Sequence, residues 1–202
     1  MSEPLSDPGA LRIDRSPADV TPAAVVDLPP RWPAVVRAEL VRRHRLLLDR
    51  ASTVAAGPVL DLSLPEQRQQ LREVMSSPDP TAAAAALGSF GAVMSVAGLC
   101  RLADLGSALR VVATMLVPDG EVWLVEPGFA PGLAATLVAS GGALLPPARG
   151  VHLARDVPAT VRSVGLRITD VERFTMSTSL WPLRRFTELR AVKFGRPDGG
   201  VS

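Results

Sequence analysis

The sequence is poor in the residues that build covalent or metal-held structure. Cys100 is the only cysteine, and His44 and His152 are the only histidines, in a chain of 202 residues. A single cysteine excludes an internal disulfide framework. One cysteine and two histidines also leave too few ligands for a zinc site unless carboxylates or a second chain contribute. We therefore predict no metal site and a fold held together by its apolar core.

Lysine and tyrosine are also scarce: Lys193 is the only lysine, and there is no tyrosine. The 22 basic residues nearly balance the 20 acidic ones, so the formal net charge is only +2. This balance gives no general attraction to nucleic acid, and we predict no nucleic-acid partner. Hydrophobic residues make up 47% and charged residues 21% of the chain, which is typical of a globular protein of one domain.

Long apolar runs are missing as well. Proline and glycine repeatedly interrupt the uncharged stretch 130–148, whereas a membrane span needs about 20 consecutive apolar residues. The first ten residues, MSEPLSDPGA, are acidic and broken by proline, whereas a signal peptide is basic and then apolar. We predict no membrane span and a cytoplasmic protein.

The chain divides into three parts. Residues 1–32 contain several prolines among acidic and small residues, which predicts a flexible arm. Residues 33–196 form the predicted domain, and residues 197–202 form a predicted disordered tail. The domain begins with a helix over 33–56, with apolar residues at helical spacing on one face and His44 among arginines on a solvated face.

Short apolar runs predict buried strands, and helical periodicity occupies the intervals between them. We expect strands at 58–62, 90–96 and 121–127, an antiparallel pair at 166–174 and 187–194, and helices at 65–75, 81–87, 104–117, 131–140 and 156–163. Ser63 and Glu66 have the spacing of a capping box at the start of the second helix. Strands that alternate with helices predict an α/β domain of three layers.

The segment from Phe90 to Pro127, FGAVMSVAGLCRLADLGSALRVVATMLVPDGEVWLVEP, resembles the second half of class I S-adenosylmethionine-dependent methyltransferases of the type 11 kind. That family has a strand of the form F-D-x-V-x-S, then a helix, a P-G-G turn and a strand ending in E-P. The resemblance continues through Val151–Asp156 to Phe174. It implies a Rossmann-like three-layer sandwich and transfer of a methyl group from S-adenosylmethionine to a small or lipophilic acceptor.

The half of the chain that would hold the cofactor departs from this family. The family's first strand ends in a glycine-rich turn, which lets the backbone approach the cofactor closely. Here the aligned residues are Asp61-Leu62-Ser63-Leu64-Pro65-Glu66, without glycine. Only residues 62–89 separate this strand from the one at Phe90, whereas the complete fold needs roughly 55–60 residues there. We therefore predict a sandwich that lacks the second and third strands, with weakened or lost cofactor binding.

The resemblance implies which positions would line a remaining site, although none of them is predicted to be catalytic. Two alternatives stay open: Asp61 could instead take local amide bonds, and Ser63 could be only a helix cap. His152 could be a general base or a capping or surface residue. The cofactor-binding candidates are Asp61, Ser63, Val96, Ala97 and Gly98, and the substrate-pocket candidates are Glu126, His152 and Arg155.

Three functions are compatible with these predictions. The chain is a methyltransferase that acts on a small-molecule acceptor, or a non-catalytic scaffold or regulatory subunit that pairs with itself or with a paralogous methyltransferase. The third possibility is binding of a different ligand in the cleft that remains. Without its two neighbours, the strand at 58–62 becomes a sheet edge, which needs cover. We expect the helix over 33–56, or a second copy of the chain in a homodimer, to cover it.

Overall fold

A computed structural model of the chain describes residues 26–128, 150–153, 155–180 and 183–194. The predicted helix at 131–140, the predicted tail and residues 1–25 of the predicted arm lie outside the described residues. The helices are α1 (Ala34–Val54), α2 (Pro65–Met75), α3 (Pro80–Leu87), α4 (Leu105–Met115) and α5 (Val157–Ser163), with a 3-10 turn at Leu99–Arg101. The strands are β1 (Val59–Asp61), β2 (Phe90–Val96), β3 (Leu116–Pro127), β4 (Leu166–Thr175) and β5 (Arg185–Lys193).

The five strands form one sheet in the order β1-β2-β3-β5-β4. β1, β2 and β3 are parallel, whereas β5 runs antiparallel to both β3 and β4. This arrangement confirms the predicted α/β sandwich with its antiparallel pair at the C-terminal end. In the described part of the chain, β1 is the edge strand on one side of the sheet and β4 the edge strand on the other.

Helices cover both faces of the sheet, so the domain has three layers. Side chains from α2, α3, α4 and α5 pack on one face in a core that includes Val93 and Leu124. α1 packs on the opposite face against Ala92, Met94 and Val125. Neighbouring residues of one strand thus enter different cores, as the period of two requires. β2 is buried along its whole length.

α1 owes its position to residues that recur on one helical face: Val36, Leu40, His44, Leu47 and Ala51 are all buried. The prediction that His44 lies on a solvated face is wrong, because only 5% of this residue is exposed. Counted by helical spacing, His44 falls on the same face as Leu40 and Leu47. Its arginine neighbours in sequence point elsewhere.

The predicted cover of the edge strand β1 by the helix over 33–56 is not what the structure has, and cover by a second copy stays a prediction. α1 lies across a face of the sheet, with its main contacts to β2 and β3 rather than along the edge. At the edge itself, the side chain of Gln67 accepts a hydrogen bond from the N–H of Asp61. This side-chain bond satisfies a backbone donor that would otherwise point away from the sheet.

The end of the predicted arm is packed against the domain. Val26 is 7% exposed and Trp32 is 2% exposed, and Trp32 belongs to the core on the α1 side. The ring of Trp32 meets the ring of Phe186 edge to face, with 6.1 Å between their centroids. We call residues 26–32 the N-terminal strap. In the described residues, no helix combines the length and apolar character needed to cross a membrane.

Candidate functional site

Three loops meet at the carboxyl edge of the parallel strands. They follow β1, β2 and β3, whose last residues are Asp61, Val96 and Pro127. Because neighbouring parallel strands end at the same edge, the sheet brings the predicted cofactor candidates together there. Ligands of open α/β sheets bind at this edge.

Asp61 is engaged within the protein through both carboxylate oxygens. Its Oδ2 lies 2.6 Å from Nε2 of His44, and its Oδ1 accepts a hydrogen bond of 2.9 Å from the N–H of Ser63. Asp61 is 5% exposed, like its histidine partner. The carboxylate thus fastens α1 to the end of β1. A cofactor hydroxyl at this place would have to compete with two buried partners.

Ser63 does not cap α2. The N-cap of α2 is Leu64, which makes no side-chain capping bond, so the predicted capping box is wrong. The hydroxyl of Ser63 is fully buried and accepts a 2.8 Å hydrogen bond from the N–H of Val96. Val96 lies two residues beyond Met94, which pairs with Asp61 at the end of the β1–β2 ladder. Ser63 therefore ties the loop after β1 to the end of β2.

The backbone after β2 lies directly against the loop after β1. Ala97 has a positive φ of 54° and donates from its N–H to the carbonyl of Val125 at 2.8 Å. A Cβ atom placed on Gly98 would lie 2.2 Å from the carbonyl oxygen of Leu62. Only glycine fits here, because a backbone oxygen occupies the space of any side chain. Glycine at this position serves close contact between two protein segments.

Glu126 is a buried cap and does not face a cleft. It is 1% exposed and accepts hydrogen bonds from the Ser95 hydroxyl at 2.6 Å, the Leu99 N–H at 2.9 Å and the Cys100 N–H at 3.0 Å. Burial raises the pKa of Glu126, and these three donors oppose the shift. The carboxylate satisfies the first amides of the 3-10 turn.

The other two substrate-pocket candidates also make structural contacts. The guanidinium of Arg155 donates to the carbonyls of Leu102 at 2.7 Å and Ala103 at 2.6 Å. The backbone N–H of His152 donates to the carbonyl of Cys100 at 2.7 Å, while the residue itself is exposed. Desolvation, followed by the charge of Arg155, lowers the pKa of His152. The space between Glu126, His152 and Arg155 has no volume that a water molecule could occupy.

The N-terminal strap crosses the same edge of the sheet. The carboxylate of Asp27 forms ion pairs with Arg68 and Arg101, and the N–H of Asp27 donates to the carbonyl of Ser63 at 3.3 Å. Arg68 is 2% exposed and also donates to the carbonyls of Leu62 and Ser63. The strap is thus clamped onto the loops after β1 and β2. Sequence analysis missed Asp27, since nothing local marks an acid whose partners are distant in the chain.

Comparison with known proteins bears on the fold. No protein-family model matches the sequence, and no curated protein matches it either. Among solved structures, the [4+2]-cyclase SpnF superposes with a TM-score of 0.50 at 14% identity, over 77% of this chain and 82% of that chain. The sheet order and this similarity decide the assignment. The chain has the class I methyltransferase fold.

Two further structures with this fold are similar over part of their length. One is a methyltransferase from Bacillus halodurans C-125, with a TM-score of 0.44 and 10% identity, over 53% of this chain and 65% of that chain. The other is an arsenic(III) S-adenosylmethionine methyltransferase from Chlamydomonas reinhardtii, with a TM-score of 0.40 and 22% identity, over 55% and 39%. This chain therefore spans less than two thirds of either protein.

The methyltransferase fold implies a place for S-adenosylmethionine at the carboxyl edge, where the polar groups predicted to hold it already have partners within the protein. The carboxylate of Asp61 and the hydroxyl of Ser63 are used within the protein. The carbonyl of Leu62 lies against Gly98, where the fold usually leaves backbone open to the cofactor. The predicted cofactor groups at this edge are thus engaged in contacts within the protein. Among the described residues, no cluster of His, Cys, Asp and Glu could hold a metal ion.

Proposed function

We propose that this chain is a methyltransferase-fold protein in which binding of S-adenosylmethionine is weakened or lost, and that it acts without catalysing methyl transfer. The observation that carries the proposal is the contact between the Leu62 carbonyl and Gly98, at the place where a cofactor would need open backbone. The contact involves backbone on both sides, so no change of side-chain rotamer opens it.

The surrounding hydrogen bonds support the same conclusion. Ser63 holds the N–H of Val96, and Ser95 accepts hydrogen bonds from the N–H groups of Gly98 at 3.2 Å and Leu99 at 3.1 Å. These backbone donors would otherwise be available to a ligand. Opening the edge would leave several buried polar groups without partners, at a cost of about 1–3 kcal/mol for each group.

The fold itself does not demand methyl transfer. SpnF, the similar structure described above, is a [4+2]-cyclase. A stable sheet can therefore carry another function, because the reaction depends on the site and not on the fold.

Calorimetric titration with S-adenosylhomocysteine, with adenosine as the control, tests the proposal. We expect no saturable heat at ligand concentrations up to about 1 mM. Saturable binding tighter than about 100 μM, or about −5.5 kcal/mol, would contradict the proposal. The activity to search for would then be methyl transfer to a small or lipophilic acceptor.

The same titration with Asp27→Asn separates two causes of a closed edge. This variant weakens the clamp of the N-terminal strap on Arg68 and Arg101 without touching Leu62 or Gly98. We expect it to remain unable to bind. Binding gained by this variant alone would assign the closure to the strap.

A second candidate function is that of a scaffold or regulatory subunit that pairs with a copy of itself or with an active methyltransferase. The observation that favours it is the position of β1 at the sheet edge. The N–H of Leu62 bonds back to the carbonyl of Met94, so the N–H of Val59 points away from β2 by the alternation of the strand. Such an edge can pair with another strand.

Light scattering tests self-pairing, and Val59→Pro is the informative variant. Proline removes the outward N–H and should leave the β1–β2 ladder in place, because edge strands tolerate proline at such positions. We expect a dimer for the native chain and a monomer for Val59→Pro. A monomeric native chain at about 100 μM would contradict self-pairing and leave only a different chain as partner.

A further inference from the structure

A cavity lies at the carboxyl edge of the sheet, apart from the candidate cofactor site after β1 and β2. It has a volume of about 220 Å³, between the start of α5 and the antiparallel pair of β4 and β5, and it reaches Gly128 after β3. A water molecule takes roughly 30 Å³ in the liquid, so this cavity has room for a small ligand group. The polar residues around it are Arg155, Asp156, Arg173, Thr175, Arg185 and Thr187.

The strand register places four of these side chains on one face of the sheet. Arg173 on β4 is directly opposite Thr187 on β5, and Thr175 is directly opposite Arg185. Opposite residues of an antiparallel pair share a face, and diagonal positions lie roughly 7–8 Å apart. Arg173 and Arg185 are such a diagonal pair, so their guanidinium groups can reach one ligand placed between them.

The charges around this cavity are unbalanced. Three arginines contribute to it, and Asp156 is the one acid among its described lining residues. Oδ1 of Asp156 already accepts a 3.0 Å hydrogen bond from the N–H of Ala159, as the N-cap of α5. Arg173 and Arg185 form no ion pair within the described residues.

Two other arginines near this sheet are matched with acids, whereas Arg167 on β4 lies over the ring of Phe194 and, among the described residues, forms no ion pair. Arg190 pairs with Glu121, and Arg43 pairs with Glu188. The third arginine of the cavity, Arg155, is held in place by the carbonyls of Leu102 and Ala103. The cavity therefore combines the positioned guanidinium of Arg155 with two guanidinium groups that form no ion pair within the described residues. Two threonine hydroxyl groups complete this set.

We propose that this cavity binds the phosphate group of a small phosphorylated molecule. Guanidinium groups donate in a planar fork that matches the oxygens of phosphate, and phosphate offers more acceptor oxygens than a carboxylate for five surrounding donor side chains. Thr175 and Thr187 add neutral donors beside the arginines. The site is separate from the residues that close the cofactor position, so the proposal holds whether or not S-adenosylhomocysteine binds.

Titration of the full chain with inorganic phosphate, followed by NMR at the backbone amides, tests the proposal. We expect saturable shifts at Gly128 and Thr187. The dissociation constant should rise about tenfold or more in Arg173→Gln and in Arg185→Gln, since each substitution removes hydrogen bonds between a charged donor and a charged acceptor. Both arginines are exposed, so the variants should keep the fold. Circular dichroism checks this.

Arg184→Gln is the matched control. Arg184 is exposed, adjacent to Arg185 in sequence and absent from the cavity lining, so its removal changes the net charge equally. Phosphate affinity should stay within twofold of the native value. An equal loss in Arg184→Gln would show diffuse charge attraction and overturn the proposal. Acetate bound as tightly as phosphate, or no saturable shift up to about 50 mM phosphate, would overturn it too.

Discussion

Gly98→Ala tests the closed edge through stability alone, without any ligand. Gly98 has φ of −90° and ψ of −46°, which alanine adopts without strain. With open space beside Gly98, the substitution would stabilise the protein by about 0.4–1 kcal/mol, because alanine restricts the unfolded chain. The sign of the measured change therefore reports whether the space is occupied.

The structure predicts a loss of stability. The added Cβ would lie 2.2 Å from the Leu62 carbonyl oxygen, 2.9 Å from the Leu62 carbonyl carbon and 2.8 Å from Oγ of Ser95. Two of these atoms belong to the backbone and can move only if the loop after β1 moves. Overpacking of this kind typically costs about 1–3 kcal/mol. After subtraction of the unfolded-state gain, we expect a net loss of about 1 kcal/mol.

Urea unfolding monitored by circular dichroism measures the change, with an unchanged m-value as the sign that only stability has changed. Gly106→Ala is the control, because Gly106 lies in the first turn of α4 and its added Cβ would come no closer than 3.4 Å to Oδ1 of Asp104. It should stabilise the protein by up to about 1 kcal/mol. A neutral or stabilising Gly98→Ala would refute the closed edge.

Three further predictions concern buried polar groups. His44→Ala should destabilise the protein by about 3 kcal/mol in urea unfolding, since it leaves the buried carboxylate of Asp61 without its histidine partner. Arg42→Ala, which breaks an exposed ion pair, should cost less than about 1 kcal/mol. Equal costs for the two variants would contradict this account. Burial, and then Glu126, raises the pKa of the Cys100 thiol, so an alkylating reagent at pH 8 should modify it only after unfolding; rapid modification of the native protein would oppose the burial described. Burial also raises the pKa of Glu126 above 4.5, so its contribution to stability is present at lower pH and is lost as the pH rises through the raised pKa. Native stability should therefore fall relative to Glu126→Gln as the pH rises above 4.5, the ordinary pKa of glutamate, and a constant difference would contradict this.

The sequence was sufficient to predict the architecture because each strand and helix has a local pattern of apolar residues. β2 is a continuous apolar run, and it was predicted at 90–96, where the structure has it. α4 and the antiparallel pair also lie where periodicity indicated. The third strand begins earlier than predicted, at Leu116. The turn at Asp119, with φ of 59°, does not precede the strand as predicted but lies within it.

The site was less predictable because its partners are distant in sequence. Ser63 has the local pattern of a helix cap, yet its hydroxyl accepts from Val96, a residue that no spacing rule connects to it. His44 and Asp61 likewise lie on separate elements that only the packing of α1 brings together. The missing glycines did indicate a departure from the family. The sequence does not show that Gly98 is needed for its contact with Leu62, because only the folded structure brings the two residues together.

Amide hydrogen exchange at the ends of β1 and β2 tests the closed edge most directly. The N–H groups of Val96, Gly98, Leu99 and Cys100 bond to buried oxygens of Ser63, Ser95 and Glu126. We predict slow exchange at these four amides in the ligand-free protein, unchanged by 1 mM S-adenosylhomocysteine. Rapid exchange in the free protein that slows when the ligand is added would show an open, ligand-binding edge and would contradict the account.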